Sequence, residues 1–339
     1  MAQGLGISSL KLSPCRDLKK FQPRCACHHM LCKISWGSCR RYFSNLSSNK
    51  ILSQSQIHSY HSNGFLVLKD LLTATEKKRI HESVAEMQNW PVRKGEHMHF
   101  FEKVRDAGKA ADIRWQLCRT EYYLDFHADM NSLLGNGSLF AKVAAELLDD
   151  PLGALVFKER INYKGPGGGG FAAHQDAPAW SGDDPTKDGA ELAFMKYTLN
   201  MNIAVDPMFK ENGGLEVVRG EHAAQKIFPQ NPDGTLTAEF CNMQTWEEVI
   251  LDPGDVLFFS LHIPHRSGQN VTAKPRRAVY ITYGGASHMA ADERQKYYAK
   301  YRKDFPPAGE HQDGEDYLKG DMVYNWATPI AREQPQTIM

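Results

Sequence analysis

His174-Gln175-Asp176 opens the stretch on which the reading of this chain turns, and the stretch closes on His265 and, eleven residues further, Arg276. In an extended segment residues i and i+2 project to the same side, so His174 and Asp176 present one imidazole and one carboxylate to a single point. Two such groups hold a metal ion weakly, and a compact β-structure can return a distant strand to the same place. His265 is the candidate for the third ligand. Between these blocks, Asn212-Gly213-Gly214 and Pro253-Gly254-Asp255 read as turns. The segments around them read as strands: a long one through Tyr197, Leu199, Met201 and Ile203 to Asp206, and others near 215–218, 247–251, 255–259 and 276–283.

Further out, Ala154 to Lys164 alternates, with Leu155, Phe157, Glu159, Ile161 and Tyr163 against Val156, Lys158, Arg160, Asn162 and Lys164. Turned inward, Lys158 and Arg160 would meet an anionic ligand. The favoured reading turns that set outward, as the wet face of a half-buried strand. Gly165 to Gly170 lacks the Gly-Lys-Ser/Thr ending of a phosphate loop and is read as a flexible lip beside the site. Ser53 to His61 reads as a helix stopped by Asn63-Gly64. Thr73 with Glu76 forms a capping box ahead of Ile80, Val84 and Met87 at helical spacing. Residues 92–112 read as a charged, irregular connection, Ser138 to Leu148 as a helix with one apolar face, and Ala291 to Arg302 as a closing helix. The sum is a mainly β fold, a double-stranded β-helix (jelly roll, cupin-like) with helices packed on one sheet.

Two neutral imidazoles and one carboxylate on one face of an octahedral ion leave three positions open, the donor set of non-haem Fe(II) oxygenases. The surrounding blocks resemble the phytanoyl-CoA dioxygenase superfamily of Fe(II)- and 2-oxoglutarate-dependent oxygenases. Glu211 to His222 is similar to its turn between two strands, Pro253 to Phe259 to its Pro-Gly-Asp strand, and His265-Arg266-Ser267-Gly268-Gln269-Asn270 with Arg276 to its close. The resemblance spans roughly residues 55 to 305, and four ordered blocks are far more specific than one. It implies metal ligands His174, Asp176 and His265. It also implies Fe(II), 2-oxoglutarate and O2 as cofactor and cosubstrates, with Arg276 holding the far carboxylate of 2-oxoglutarate and Ser267 supporting it. His222 and His262 are spare histidines, and only His265 precedes the Ser-Gly-Gln-Asn run. Gly165 to Phe171 and Pro178-Ala179-Trp180, with Arg219 where the family's turn carries proline, are closer to small-molecule branches similar to 2-aminoethylphosphonate dioxygenases. The expected substrate is therefore small and polar or zwitterionic, with Trp180 for an ammonium group and Lys158 or Arg160 for an anion. The alternatives are an acyl-CoA 2-hydroxylase and a metal-binding jelly roll without oxygenase activity.

The 339 residues balance 40 basic against 40 acidic side chains, but unevenly. Residues 1–43 hold eight Lys/Arg and one acid, so the rest carries 32 basic and 39 acidic residues, which disfavours nucleic acid as a partner. No apolar run is long enough for a membrane span. An acid-poor leader with Arg and Ser is the composition of a mitochondrial transit peptide, and Arg40-Arg41-Tyr42-Phe43-Ser44 resembles a matrix processing site. The expectation is a disordered leader over 1–43, a single jelly-roll domain over 44–320, a tail over 321–339, and location in the mitochondrial matrix, with peroxisome or cytoplasm as alternatives. Five of the seven cysteines lie in that leader, leaving Cys118 and Cys241, too few for a disulfide framework.

Overall fold

The computed structural model describes residues 50–105, 113–180, 196–222, 225–312, 328–330 and 334–335. The expected leader and most of the expected tail lie outside the described residues. Local chemistry starts the helices. Ser53 accepts from the Gln56 N–H and the Gln56 side chain returns a bond to the Ser53 N–H, capping α1 (Gln54–Asn63). Thr73 and Glu76 repeat the device for α2 (Ala74–Gln88), whose buried stripe includes Ile80, Val84 and Met87. α3 (Ala128–Leu134) and α4 (Leu139–Leu148) follow, the latter capped by Ser138 and burying Phe140, Val143, Ala144 and Leu147. Gly64 closes α1 at φ 86°, and a Cβ there would stand 2.4 Å from the His222 ring. His222 also bonds the His61 carbonyl through Nε2 at 3.1 Å, so this spare histidine is a packing residue.

Seven strands form an antiparallel sheet: β1 (Phe65–Leu68), β2 (Met98–Arg105), β3 (Ile113–Glu121), β4 (Ala154–Lys164), β6 (Thr198–Ala204), β9 (Val256–Ser260) and β11 (Arg276–Gly285), in the order β1-β9-β6-β11-β4-β3-β2. The second sheet has four, β5 (Phe171–His174), β10 (His265–Ser267), β7 (Leu215–Val217) and β8 (Glu247–Val249), adjacent in that order. The jelly roll and the helices on one sheet are as expected. Leu199, Met201 and Ile203 of β6, Val279 and Ile281 of β11, and Val256 and Phe258 of β9 meet α1 to α4 on the outer face of the large sheet. Leu257, Phe259, Ala278 and Tyr280 turn the other way, toward Leu215 and Val217 of the small sheet.

Two expectations are corrected. The charged run at 92–112 is not irregular throughout, because β2 occupies 98–105 and pairs with β3. A register shift between Phe100 and Phe101 places two aromatics in succession and breaks the period-two pattern that marks a strand. β4 has no wet face, since helices cover its apolar side and the second sheet covers the other. Its polar set therefore points inward: Lys158, Asn162 and Lys164 are buried and Arg160 is half-buried. β3 pairs with β4 only at residues 160–162, and α6 (Glu293–Asp304) covers the edge beyond. There the Tyr298 hydroxyl donates to the Glu159 carbonyl at 2.7 Å and accepts from its N–H at 3.0 Å. α5 (Ala238–Met243) lies near the small sheet's loops, with Phe240 stacked on Phe228.

Candidate functional site

Strand pairing brings the two histidines together. β10 pairs with β5 so that His265 stands opposite His174, and their ring centroids are 4.2 Å apart. Asp176 lies two residues past His174 and points to the same place, its carboxylate oxygens 3.7 Å from Nε2 of each histidine. Gln175 faces the other way and clamps two loops: it donates to the carbonyls of His262 (2.6 Å) and Lys226 (3.1 Å) and accepts from the Phe228 N–H (2.8 Å). His262, the other spare histidine, is not part of the cluster.

Hydrogen bonds prepare the three groups for a cation. Nδ1 of His174 lies 2.6 Å from the Ala172 carbonyl and Nδ1 of His265 lies 3.0 Å from the Ile263 carbonyl. A carbonyl only accepts, so each Nδ1 carries the proton and each Nε2 presents its lone pair toward Asp176. One ligand atom from each of the three residues lies within 4.8 Å of the others. Burial, followed by the neighbouring His265, holds the His174 pKa at about 4, so the ring is neutral near pH 7. Burial alone would raise Asp176, but His265, His174, Arg160 and Lys158 outweigh it and bring the carboxyl to about 2. Asn200 on β6 donates to Asp176 at 2.6 Å, and Thr282 on β11 donates to Asn200 at 2.7 Å. Such outer partners fix a ligand's orientation.

A cleft runs from these residues to a cationic end. It is lined by Arg160, Asn162, Phe171, Leu215, Ser267, Arg276 and Tyr280 as well as the two histidines. Arg276, at the start of β11, stands opposite Lys164 at the end of β4. Both are buried, at 2% and 3% exposure, which decides that neither charge is balanced by water. Lys164 donates to Ser267 Oγ at 2.9 Å and to the Gly268 carbonyl at 2.7 Å, while Arg276 donates to the Gly213 carbonyl. The Arg276 Nε finds no hydrogen-bond partner among the described residues. Burial, and then the Arg276 charge, hold the Lys164 ammonium well below the usual lysine range; burial likewise lowers Arg276. Two cations forced together out of water are the setting for an anion, because a carboxylate would relieve both the repulsion and the lost hydration.

The other expected residues divide. Ser267 sits in the cleft, held by Lys164 and also accepting from the Phe171 N–H at 3.3 Å. Arg160 lines the cleft. Lys158 does not line it: its ammonium lies 3.8 Å from Glu121 and about equally far, 5.3 and 5.4 Å, from the Tyr297 and Tyr301 rings under α6. Trp180 ends the short 3-10 turn Ala177–Trp180, and its side chain lies outside the described residues. The glycine-rich lip borders the site but is stitched down. Gly167 donates to the Asn270 carbonyl, Asn270 donates to that of Gly168, and Gly169 donates to Glu102, at 2.9, 3.0 and 2.8 Å. Sequence reasoning missed Lys164, Asn200 and Thr282 as site residues; each becomes visible only once the strand register is known.

The phytanoyl-CoA dioxygenase (PhyH) family matches residues 60–278. The chain belongs to this family. Among curated relatives, the 2-aminoethylphosphonate dioxygenase of an uncultured bacterium (HF130_AEPn_1) is 34% identical over 278 residues, covering 82% of this chain and 98% of the relative. The methylphosphonate hydroxylase of Gimesia maris is 36% identical over 257 residues, covering 76% of this chain and 89% of the relative. Among solved structures, EctD from S. alaskensis with 2-oxoglutarate and 5-hydroxyectoine superposes at TM-score 0.54 with 21% identity, over 71% of this chain and 79% of that one. That likeness establishes the jelly-roll fold. As a PhyH-family member the chain is a non-haem Fe(II)- and 2-oxoglutarate-dependent dioxygenase, using Fe(II), 2-oxoglutarate and O2 on a small molecule. The donor set found here fits that iron: two imidazoles with free Nε2 lone pairs and an ionised carboxylate, gathered on one side.

Proposed function

We propose that this PhyH-family enzyme hydroxylates a small alkylphosphonate, with or without an amino group, and that His174, Asp176 and His265 hold its iron. When bound, the iron supplies the oxidation in which 2-oxoglutarate and O2 give succinate and CO2 while one oxygen atom enters a substrate C–H bond. The protein's own residues do the positioning. Arg276, Lys164 and Ser267 seat the far carboxylate of 2-oxoglutarate, the guanidinium through a planar fork and the ammonium as a point charge. Phe171 and Leu215 give the cleft apolar walls that limit water beside the reacting groups. Asn200 and Thr282 keep the Asp176 carboxylate aimed.

The observation that carries this reading is that the His174, Asp176, His265 cluster and the buried Arg276 and Ser267 open onto one cleft. The phosphonate assignment is supported by the two relatives above, which are named for phosphonate substrates. The test is succinate formation by the full chain with Fe(II), 2-oxoglutarate and air, primed with methylphosphonate, 2-aminoethylphosphonate or an acyl-CoA. Stimulation by a phosphonate that vanishes in His174→Ala and Arg276→Ala is expected. Stimulation by the acyl-CoA alone would overturn the substrate assignment. For residues 1–43 we propose a mitochondrial matrix leader, on composition and the Arg40-Arg41 site. Sequencing the amino terminus of the protein recovered from mitochondria tests this, with a new terminus near Phe43 or Ser44 expected.

A further inference from the structure

The outer edge of the large sheet is answered by the chain's own carboxy-terminal segment. β2 is last in the sheet order, so among the described residues one row of its backbone groups faces no further strand. The Gln334 side chain stands in for one: its amide accepts from the Phe101 N–H at 2.7 Å and donates to the Phe101 carbonyl at 3.0 Å. Beside it, the Ala308 N–H donates to the His99 carbonyl at 2.9 Å. Gln334 is buried, and Ile330 lies in an apolar cluster with Met98 and Phe100 of β2 and Tyr298 and Tyr301 of α6. Pro329 meets the glycine-rich lip. A Cβ on Gly169 would stand 2.5 Å from that of Pro329, so the two segments touch because position 169 carries no side chain.

Residues 328 to 330 thereby wall one side of a cavity whose other sides include Glu102, Cys118, Lys164 and Phe171. Asn162 and Phe171 line this cavity and the catalytic cleft alike, so the cavity lies directly behind the cleft. Lys164 belongs to the cavity and reaches the cleft through its bond to Ser267 Oγ. Behind it, Glu102 accepts from the Gly169 N–H at 2.8 Å and from Gln116 at 3.2 Å, and its charge acts on Lys164. The ammonium assigned to 2-oxoglutarate thus has the cleft on one side and, on the other, a space closed by the carboxy-terminal segment. Water admitted there would solvate the ammonium and weaken its attraction for a carboxylate, because a charge pair interacts far more strongly in a dry interior than in water.

We propose that the carboxy-terminal segment, through Pro329, Ile330 and Gln334, is the outer wall of the 2-oxoglutarate seat, and that its docking keeps the Lys164 side of that seat dry and so sets cosubstrate affinity. This rests on the seat proposed above and deepens it. The three are positioning residues: they do not line the cleft, and each acts through what it covers. Gln334 suits the part, since an amide that pairs with both groups of one residue fixes the segment in register, as an antiparallel strand would. Cys118 reports on the docking. Its thiol lies buried in the cavity wall, donates to the Phe100 carbonyl at 3.3 Å and is kept protonated by burial, so alkylation at Cys118 requires the wall to open.

The test alkylates the full chain with iodoacetamide, reading the Cys118 peptide by mass spectrometry, and in parallel titrates 2-oxoglutarate into the Mn(II)-loaded protein by calorimetry. Gln334→Ala removes both bonds to Phe101 and is expected to speed Cys118 alkylation roughly tenfold. It should also raise the dissociation constant for 2-oxoglutarate about three- to tenfold while Mn(II) affinity stays within about twofold. Ile330→Ala loosens the same segment without touching the edge bonds, and serves if Gln334→Ala does not fold. Gly169→Ala, whose new Cβ displaces Pro329 from the lip side, is expected to give the same pair of changes. In wild type, 2-oxoglutarate with Mn(II) should slow the alkylation further, because docking that favours the ligand is favoured by it in turn. Unchanged Cys118 alkylation in the folded variants overturns the proposal. So does faster alkylation with unchanged 2-oxoglutarate affinity, or an equal loss of Mn(II) and 2-oxoglutarate. Wild type that takes up Mn(II) but no 2-oxoglutarate overturns the seat itself along with this proposal.

Discussion

Replacing Asn200 with leucine tests how the Asp176 carboxylate is held. The amide donates to Asp176 Oδ2 at 2.6 Å, and both residues are buried, at 3% and 4% exposure, so no water stands in when the donor goes. A hydrogen bond to a charged group contributes about 1.5–3 kcal/mol, and loss of an outer partner of a metal ligand typically weakens metal affinity ~10–100-fold. At about 1.4 kcal/mol per tenfold the two estimates coincide. Asn200→Leu is therefore expected to raise the dissociation constant for Mn(II) or anaerobic Fe(II) ten- to hundredfold, measured by titrating the metal-free protein. Thr282→Val removes the hydroxyl that steadies the Asn200 amide, and its effect is expected to be smaller. Combined with Asn200→Leu it should add little, because Thr282 acts only through the amide that is already gone. Metal affinity within twofold of wild type in Asn200→Leu, with the fold intact by thermal melting, would refute this account of Asp176.

Lys164→Met is expected to move function and stability in opposite directions. Its KM for 2-oxoglutarate should rise tenfold or more, whereas the ligand-free protein, relieved of a buried cation beside Arg276, should gain about 1 kcal/mol, a rise of roughly 2–4 °C in Tm. Gln175→Ala removes three bonds between its side chain and the loops at Lys226, Phe228 and His262, for a loss of about 3 kcal/mol in urea unfolding with a smaller effect on metal affinity than Asn200→Leu. Arg294→Met leaves Glu159 buried without the guanidinium that bonds it, and should cost about 3–5 kcal/mol near pH 7. Burial already raises the Glu159 pKa, and removing Arg294 raises it further. A folded-state pKa above the unfolded one makes the penalty largest at neutral pH and smaller as falling pH protonates the carboxyl, so unfolding at two pH values checks the sign.

What was legible in the sequence was what is decided locally or by spacing. Ser53, Thr73 and Ser138 cap their helices within three residues of themselves, and the i, i+2 geometry of His174 and Asp176 follows from an extended backbone alone. His265 was separable from His262 by the run that follows it. β2 was hidden because two consecutive phenylalanines at a bulge do not alternate. The pattern of β4 points the wrong way for a different reason. The rule that polar residues face water presumes that the far side of a strand is wet, and here helices cover it. Lys164 and Thr282 were unreadable as site residues because their roles depend on which residue of β11 or β6 lies opposite, a fact set by pairing across more than a hundred residues of β4 and more than eighty of β6.

The inverted β4 explains why so costly an interior persists. Arg119, Glu121, Lys158, Asn162, Lys164 and Arg276 are each no more than 5% exposed, and a core of similar volume built from apolar residues would be the more stable one. The cluster keeps a positive excess: Glu121 answers Arg119 and Lys158, and the buried Glu102 acts on Lys164, but Arg276 adds a further cation opposite Lys164, bonded to the Gly213 carbonyl and beside Tyr280. Such an excess is tolerable where a ligand of opposite sign completes it, and it gives that ligand most of its binding energy from groups already fixed in place. The outer helices make this possible by burying the apolar side of the same strands, so that stability comes from one face of the large sheet and chemistry from the other.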